Sequence, residues 1–138
     1  MNYLVYAVVA LIAYSLVPSL VDLATREIPS NVAALISNTV LVVAALGVVV
    51  YTGEWDVSGF TGRGALYAYA AGVCLAVGIL AYYRALSAGP VTVVVPVFGM
   101  FIVGSAVVGV AFLDETLTAR KVVGVVLAVV AVYLVSTS

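Results

Sequence analysis

The residues of this sequence that could do chemistry are uncharged polar side chains and prolines that interrupt long apolar stretches. Because proline lacks a backbone N–H, Pro18 and Pro96 should leave the carbonyl groups of Tyr14 and Thr92 without a helical partner. Carbonyl, hydroxyl and amide groups can bind a polar solute through hydrogen bonds. The candidate substrate-binding residues are therefore Tyr14, Ser15, Asn38, Tyr69, Thr92, Pro96 and Ser105. In a second interpretation, which the pattern also allows, the prolines only bend helices and neighbouring hydroxyls satisfy the carbonyls.

The sequence contains few residues that could support metal binding, enzymatic catalysis or nucleic-acid binding. The chain has one cysteine, Cys74, and no histidine, so the usual metal-ligand clusters are missing from the sequence. We find no phosphate-binding, dinucleotide-binding or nucleophile-elbow motif, and five scattered basic residues do not form a nucleic-acid footprint. We therefore expect neither enzymatic activity nor a catalytic residue, and no cofactor, metal or nucleic-acid partner.

The elements that position the candidate residues follow from composition. Of 138 residues, 66% are hydrophobic and 8% charged, against about 25% charged in soluble domains. Cutting the chain at its charges leaves five runs that approach or exceed the roughly 20 residues needed to cross the hydrocarbon as a helix. The sequence predicts an all-α integral membrane protein of one domain, residues 1–138, placed in the cell membrane as a multi-pass protein. Its helices are expected at about 3–23, 30–52, 64–84, 91–113 and 118–136.

Short connections join these runs. The first run lacks a basic leader, so we interpret it as a retained helix and not as a secretory signal. Ser30 is the expected N-cap of the second helix, and Pro90 should open the fourth. Four charges flank the last connection, where Asp114 and Glu115 face Arg120 and Lys121. They form either a simple interfacial boundary or a salt-bridged hairpin.

Aromatic residues near the ends of the runs are typical of belts at the membrane interface. The expected members are Tyr3, Tyr6, Tyr51, Trp55, Tyr82, Tyr83 and Tyr133. Deeper in the runs, helical spacing places Asn38 on one face with Asn31 and Ala34, and Tyr69 on one face with Gly72 and Ala76. An unpaired amide in hydrocarbon costs several kcal/mol. We therefore expect Tyr14, Asn38, Tyr69 and Thr92 to face a common cavity near mid-depth.

The segment from Tyr82 to Val135 resembles the second part of an EamA repeat of the drug/metabolite transporter superfamily. The resemblance rests on "RAL" after an aromatic helix end, an early proline (Pro96), "TLT" after an acidic helix end at Glu115 and an early glycine (Gly124). The segment "AYSLVPSLVDLATREIPSNVAALISN" resembles the first part. Residues 1–138 thus resemble one five-helix repeat, whereas typical members have two repeats and move small metabolites.

Because the chain resembles a single repeat, it could need a second copy to form a complete transporter. Inverted repeats place the substrate site near the midplane at their interface, so a second copy could supply the missing half. Three bases (Arg63, Arg120 and Lys121) lie on one side and two (Arg26 and Arg84) on the other, which specifies orientation weakly. We expect an antiparallel homodimer; a single orientation fixed by Arg120 and Lys121 is the alternative. Small residues suit close helix contacts. The resemblance favours the last helix for the dimer contact, with Gly124, Ala128 and Ala131, over the third helix with Ala68, Gly72 and Ala76.

The expected function is secondary transport of a small, neutral or zwitterionic, amino-acid-like metabolite by a dimer with a midplane cavity. The partners would be the small-molecule substrate, the lipid bilayer and a second copy of the chain. The alternative is a non-transporting membrane scaffold, or a subunit of a hetero-oligomeric transporter, in which the polar residues serve only helix packing.

Overall fold

The structure, a computed structural model, describes residues 3–113, 116 and 118–137. Every regular element in these residues is helical, in the following order: α1 (Tyr3–Thr25), α2 (Ser30–Thr52), a short 3-10 helix (Val57–Phe60), α3 (Arg63–Ala88), α4 (Val91–Gly99), α5 (Phe101–Phe112) and α6 (Ala119–Ser136). With α4 and α5 taken together as Val91–Phe112, five segments are long and apolar enough to cross a membrane. The predicted all-helical membrane fold is confirmed.

The helices differ most clearly from the predicted ones at three places. The second helix begins at Ser30, but its N-cap is Pro29, so the prediction of Ser30 as the cap is wrong. The third helix continues four residues beyond the predicted end at 84, because the long side chain of Arg84 can extend from a helix towards the headgroups without ending it. The fourth span is interrupted at Met100.

The chain divides into two compact units, of which the first is Met1–Ala88. In this unit α3 packs against both α2 and α1. Most of its buried apolar residues gather where α1 turns into α2 and where α3 ends; they are Val21, Ala33, Ala34, Tyr83 and Leu86. Ala65 is buried near the start of α3. The two alanines allow α2 to approach its neighbours closely, as small residues do between helices in lipid. Pro18 is buried too, and α1 continues through it without a break.

The α2–α3 connection has its own ordered structure. Gly53 ends α2 in the left-handed conformation, with φ of 71°. Asp56 then caps the 3-10 helix by accepting hydrogen bonds from the backbone N–H of Ser58 at 2.9 Å and from its hydroxyl at 2.6 Å. The rings of Trp55 and Phe60 pack with their centroids 6.2 Å apart. This connection therefore holds an apolar ring pair beside a charged cap, as an interfacial loop requires.

The second unit, Gly89–Ser138, contains α4, α5 and α6. α6 packs against both α4 and α5. Thr118 caps α6 by accepting a hydrogen bond from the backbone N–H of Lys121 at 3.3 Å. None of the described residues of α6 is buried. The part of its apolar surface that does not face α4 and α5 is thus available to lipid or to another protein surface.

Candidate functional site: a polar groove and an interrupted span

A groove runs between α2 and α3 in the first unit. It has a volume of about 570 Å³ and is lined by Asn31, Ala34, Leu35, Asn38, Gly72, Leu75, Ala76, Ile79 and Leu80. Two carboxamides are its polar side chains, and its lining includes no charged residue. The groove therefore offers hydrogen bonds to one part of a bound solute and aliphatic contact to the rest.

Asn38 has hydrogen-bonding capacity left for a solute. Its Nδ2 atom donates to the carbonyl of Ala34 at 2.8 Å, which uses one of the two amide hydrogens. A carboxamide also has a second N–H and an acceptor oxygen. Across the groove, Gly72 leaves space beside its backbone, since a Cβ atom built there meets nothing within 4 Å. The amide of Asn38 can thus bind a donor or an acceptor that enters the groove.

The groove unites the two helical faces that the sequence analysis paired separately: Asn38 lies with Asn31 and Ala34, and Gly72 with Ala76. Tyr14 and Tyr69 are not among its lining residues. Tyr14 is 70% exposed on α1. The hydroxyl of Tyr69 donates to the carbonyl of Phe60 at 3.3 Å, which links the start of α3 to the 3-10 helix. The common cavity of these tyrosines with Asn38 and Thr92 stays a prediction.

Ser15, a further candidate residue, shows how a hydroxyl behaves within a helix. Ser15 is exposed on α1 and donates to the carbonyl of Ile12 at 2.7 Å. It bonds one turn back along its own helix and not to the carbonyl of Tyr14. Thr39, next to Asn38, likewise donates to Leu35 at 2.7 Å. Such local bonds satisfy a hydroxyl inside an apolar layer without help from a second helix.

The second unit contains the remaining candidate binding residues. Thr92 is exposed and Pro96 half-buried on α4, while Ser105 is exposed on α5. The span is interrupted one turn after Pro96, where the N–H of Met100 bonds to the carbonyl of Val97 at 3.2 Å, three residues back. Interrupted helices at membrane depth are tolerated where they line a cavity or are buried in protein.

Tyr83 has a role that the sequence pattern did not indicate. Its side chain is only 4% exposed, and its hydroxyl lies 2.8 Å from that of Ser37, so it joins α3 to α2 instead of belonging to the aromatic belt. Tyr82, its neighbour, is more exposed. Two adjacent tyrosines point in different directions on a helix, so only one can face the packed side.

The charges near the helix ends are partly paired. Arg26 donates to the carboxylate of Asp22 at 2.7 Å, one turn back. This pair neutralises the acidic residue that reaches furthest into the first span. Asp114 and Glu115 lie outside the described residues, so the predicted salt-bridged hairpin is not described by the structure.

The small residues predicted at a dimer contact lie on α6. Gly124 and Ala131 are exposed and Ala128 is half-buried. A Cβ atom built at Gly124 meets nothing within 4 Å. Glycine in a helix costs about 1 kcal/mol relative to alanine. No close contact within the described part of the chain accounts for that cost at this position.

Comparison with known proteins decides the family. The model of the EamA-like transporter family matches residues 1–137. The chain belongs to the EamA-like transporter family. It is also similar to an uncharacterized transporter in the cobO 3' region of Sinorhizobium sp., with 35% identity over 100 residues, which are 72% of this chain and 71% of that protein. This EamA-like chain and its relative therefore have nearly the same length. No solved structure matches the chain.

Membership in the EamA-like family indicates that the five apolar spans belong to a transporter. A family of transporters, together with helices of membrane-crossing length, identifies a multi-pass membrane transporter. Polar groups within such spans are costly unless they face protein or water, and in transporters they mark the solute pathway. The carboxamides of Asn31 and Asn38 in the α2–α3 groove are polar groups within such a span.

Proposed function

We propose that this EamA-like chain forms half of a transport unit that moves a small neutral or zwitterionic metabolite across the membrane. The α2–α3 groove supplies part of the binding site. The observation that carries this proposal is the amide of Asn38, which has unused donor and acceptor capacity in a groove whose lining residues are uncharged. A neutral polar group can form hydrogen bonds with the carboxamides of Asn31 and Asn38 in this groove. A bare ion would lose its hydration there without gaining a counter-charge.

A second copy of the chain completes the unit as an antiparallel homodimer. Transporters built from inverted repeats bind substrate where the repeats meet, and one repeat presents one side of such a site. The unburied surface of α6 supports a contact between copies at this helix, where Gly124, Ala128 and Ala131 form a series of small residues.

Flux measurements in proteoliposomes test the transport proposal. A panel of neutral and zwitterionic metabolites is offered under proton, sodium and no ion gradients. For a transported compound, Asn38→Ala should lower kcat/KM by about threefold to tenfold, the value of one hydrogen bond to a neutral group. Thr39→Ala is the matched control, since Thr39 is the next residue and its exposed hydroxyl bonds only to its own helix.

The outcomes separate the alternatives. Equal flux in the Asn38→Ala and Thr39→Ala variants would show that the α2–α3 groove is not part of the transport pathway. Absence of flux for every compound under every gradient would favour the non-transporting scaffold or the subunit of a hetero-oligomer.

A further inference from the structure

A second opening lies on the other side of α2 from the polar groove. This crevice, formed by α1, α2, the turn between them and α3, has a volume of about 270 Å³. Seven of its nine lining residues are aliphatic, among them Val21, Ile28 and Ile36. The other two are Ser37 and Tyr83, whose hydroxyls bond to each other. None of these nine residues lines the groove that contains Asn38.

The direction of the hydrogen bond between these hydroxyls follows from counting hydrogens. The Oγ atom of Ser37 lies 3.0 Å from the carbonyl oxygen of Ala33 and 3.2 Å from that of Ala34. A serine hydroxyl has one hydrogen, and carbonyl oxygens only accept. If that hydrogen pointed at Tyr83, the serine oxygen would face two acceptor oxygens with no hydrogen between them. Ser37 therefore donates to its own helix, and Tyr83 donates to Ser37.

This direction determines what the crevice offers. The hydrogen of Tyr83 is committed to Ser37, so its oxygen keeps only acceptor capacity. The side chain is 4% exposed, so water reaches this oxygen poorly. A ligand that enters from the aliphatic side can therefore donate a hydrogen bond to Tyr83 but cannot accept one from it.

We propose that the crevice is a second binding site, separate from the polar groove, for a small uncharged molecule with an apolar body and one hydrogen-bond donor, such as an alcohol or a phenol. Its size supports this class, since about 270 Å³ is just below the range of drug-sized pockets. The lining provides no charge for an ionic ligand. Its aliphatic side chains contact the apolar body, and the Tyr83 oxygen selects the donor.

The test uses two probes of similar shape: 4-fluorophenol, which has a hydrogen-bond donor, and 4-fluoroanisole, in which a methyl group replaces the donor hydrogen. Binding is measured by fluorine NMR with the protein in nanodiscs, and empty nanodiscs correct for partitioning into lipid. For the unmodified protein we expect 4-fluorophenol to bind about threefold to tenfold more tightly than 4-fluoroanisole, the value of one neutral hydrogen bond.

Two variants test the role of the hydroxyl pair. Tyr83→Phe should abolish the preference, because the acceptor is gone. Ser37→Ala should release the tyrosine hydrogen, so that 4-fluoroanisole gains a donor to accept from and the preference falls to about twofold or less. Thr39→Ala, which alters an exposed hydroxyl on the same helix, should leave the preference unchanged.

Each contrary result overturns the proposal. Neither probe binding above the level of empty nanodiscs would mean that lipid chains fill the crevice. Equal binding of the two probes to the unmodified protein would remove the donor selectivity. If Tyr83→Phe fails to fold, Ser37→Ala still tests the proposal. An unchanged preference of this variant for 4-fluorophenol would show that the hydroxyl pair is not the source of the preference. The assay measures binding and not flux, so its failure leaves the transport proposal standing.

Discussion

At the residue scale, neighbouring polar side chains on α2 have different surroundings. Ser37 lines the aliphatic crevice and bonds to Tyr83 of α3. Asn38 lines the polar groove and bonds to Ala34 on its own helix. Adjacent residues on a helix are separated by about 100° around its axis, so both arrangements coexist. One turn of α2 thus contributes both to a helix–helix link and to a candidate substrate contact.

The loop cap at Asp56 leads to a pH prediction. Hydrogen bonds from the side chain and then the backbone N–H of Ser58 lower the pKa of Asp56 below its ordinary value of 3.8. A lowered pKa means that the cap stabilises the loop above pH 3.8 and is lost as the pH falls through the folded value. The fluorescence of Trp55, the sole tryptophan, should therefore change with a midpoint below pH 3.8.

Asp56→Asn is the matched control for this titration, because asparagine caps a helix without ionising. We expect its low-pH fluorescence transition to disappear. A transition that persists unchanged in Asp56→Asn would show that Asp56 is not the group that titrates.

At the element scale, the interrupted fourth span is the feature with most bearing on mechanism. Pro96 lacks the N–H that would bond to the carbonyl of Thr92, and the chain leaves the α-helical pattern at Met100 one turn later. The rings of Phe98 and Phe101 lie 5.3 Å apart, on either side of the interruption. Carbonyls released in this way are the backbone groups with which transporters bind polar substrates and ions.

Pro96→Ala should restore the missing donor. We expect the carbonyl of Thr92 to become hydrogen-bonded, which changes its carbon-13 chemical shift in labelled protein in bilayers, with Thr92→Ser used to assign the signal. Thermal stability should rise, since proline inside a helix costs up to about 3 kcal/mol.

Pro90→Ala is the control for this prediction. Pro90 is the N-cap of α4, where no helical donor is missing, so the Thr92 signal should stay in place. An unchanged Thr92 carbonyl signal in Pro96→Ala would mean that Pro96 does not leave this carbonyl without a partner.

At the scale of the whole molecule, the proposed antiparallel dimer depends on how the chain inserts. Arg63 begins α3, and Arg84 lies near the other end of the same helix. Replacing Arg84 with alanine changes the distribution of bases from three against two to three against one. Lys and Arg in short loops favour the cytoplasmic side. Most chains should then insert with Arg63 inside, which removes the oppositely oriented partner and lowers flux.

Labelling measures both orientations. A single cysteine at Gly59, in a background with Cys74 replaced by alanine, is treated with a reagent that cannot cross the membrane. We expect partial labelling of the unmodified charge pattern and one-sided labelling of Arg84→Ala. The double variant Arg63→Ala/Arg84→Ala restores the original difference of one base and should return towards partial labelling. One-sided labelling of the unmodified pattern would exclude dual orientation and leave a parallel dimer or a hetero-assembly.

The sequence alone determined the class of the protein and the number of its spans. Charges and long apolar runs are enough for this, because the hydrocarbon layer requires about 20 apolar residues per helix and tolerates few charges. Two prolines were expected to disturb their helices: Pro96 lies one turn before the interruption, whereas α1 continues through Pro18. The helical faces that contain Asn38 and Gly72 were also readable, because spacing along one helix determines which of its residues share a face.

Only the tertiary structure decided which faces meet. Tyr82 and Tyr83 have identical side chains and are adjacent in the sequence. Tyr83 is nevertheless buried against Ser37, whereas Tyr82 is more exposed. Hydropathy cannot separate them, since lipid and the protein interior are equally apolar and helix contacts depend on shape and hydrogen bonds. For the same reason the groove between α2 and α3 and the crevice beside Ser37 became visible only when the rotation of each helix was known.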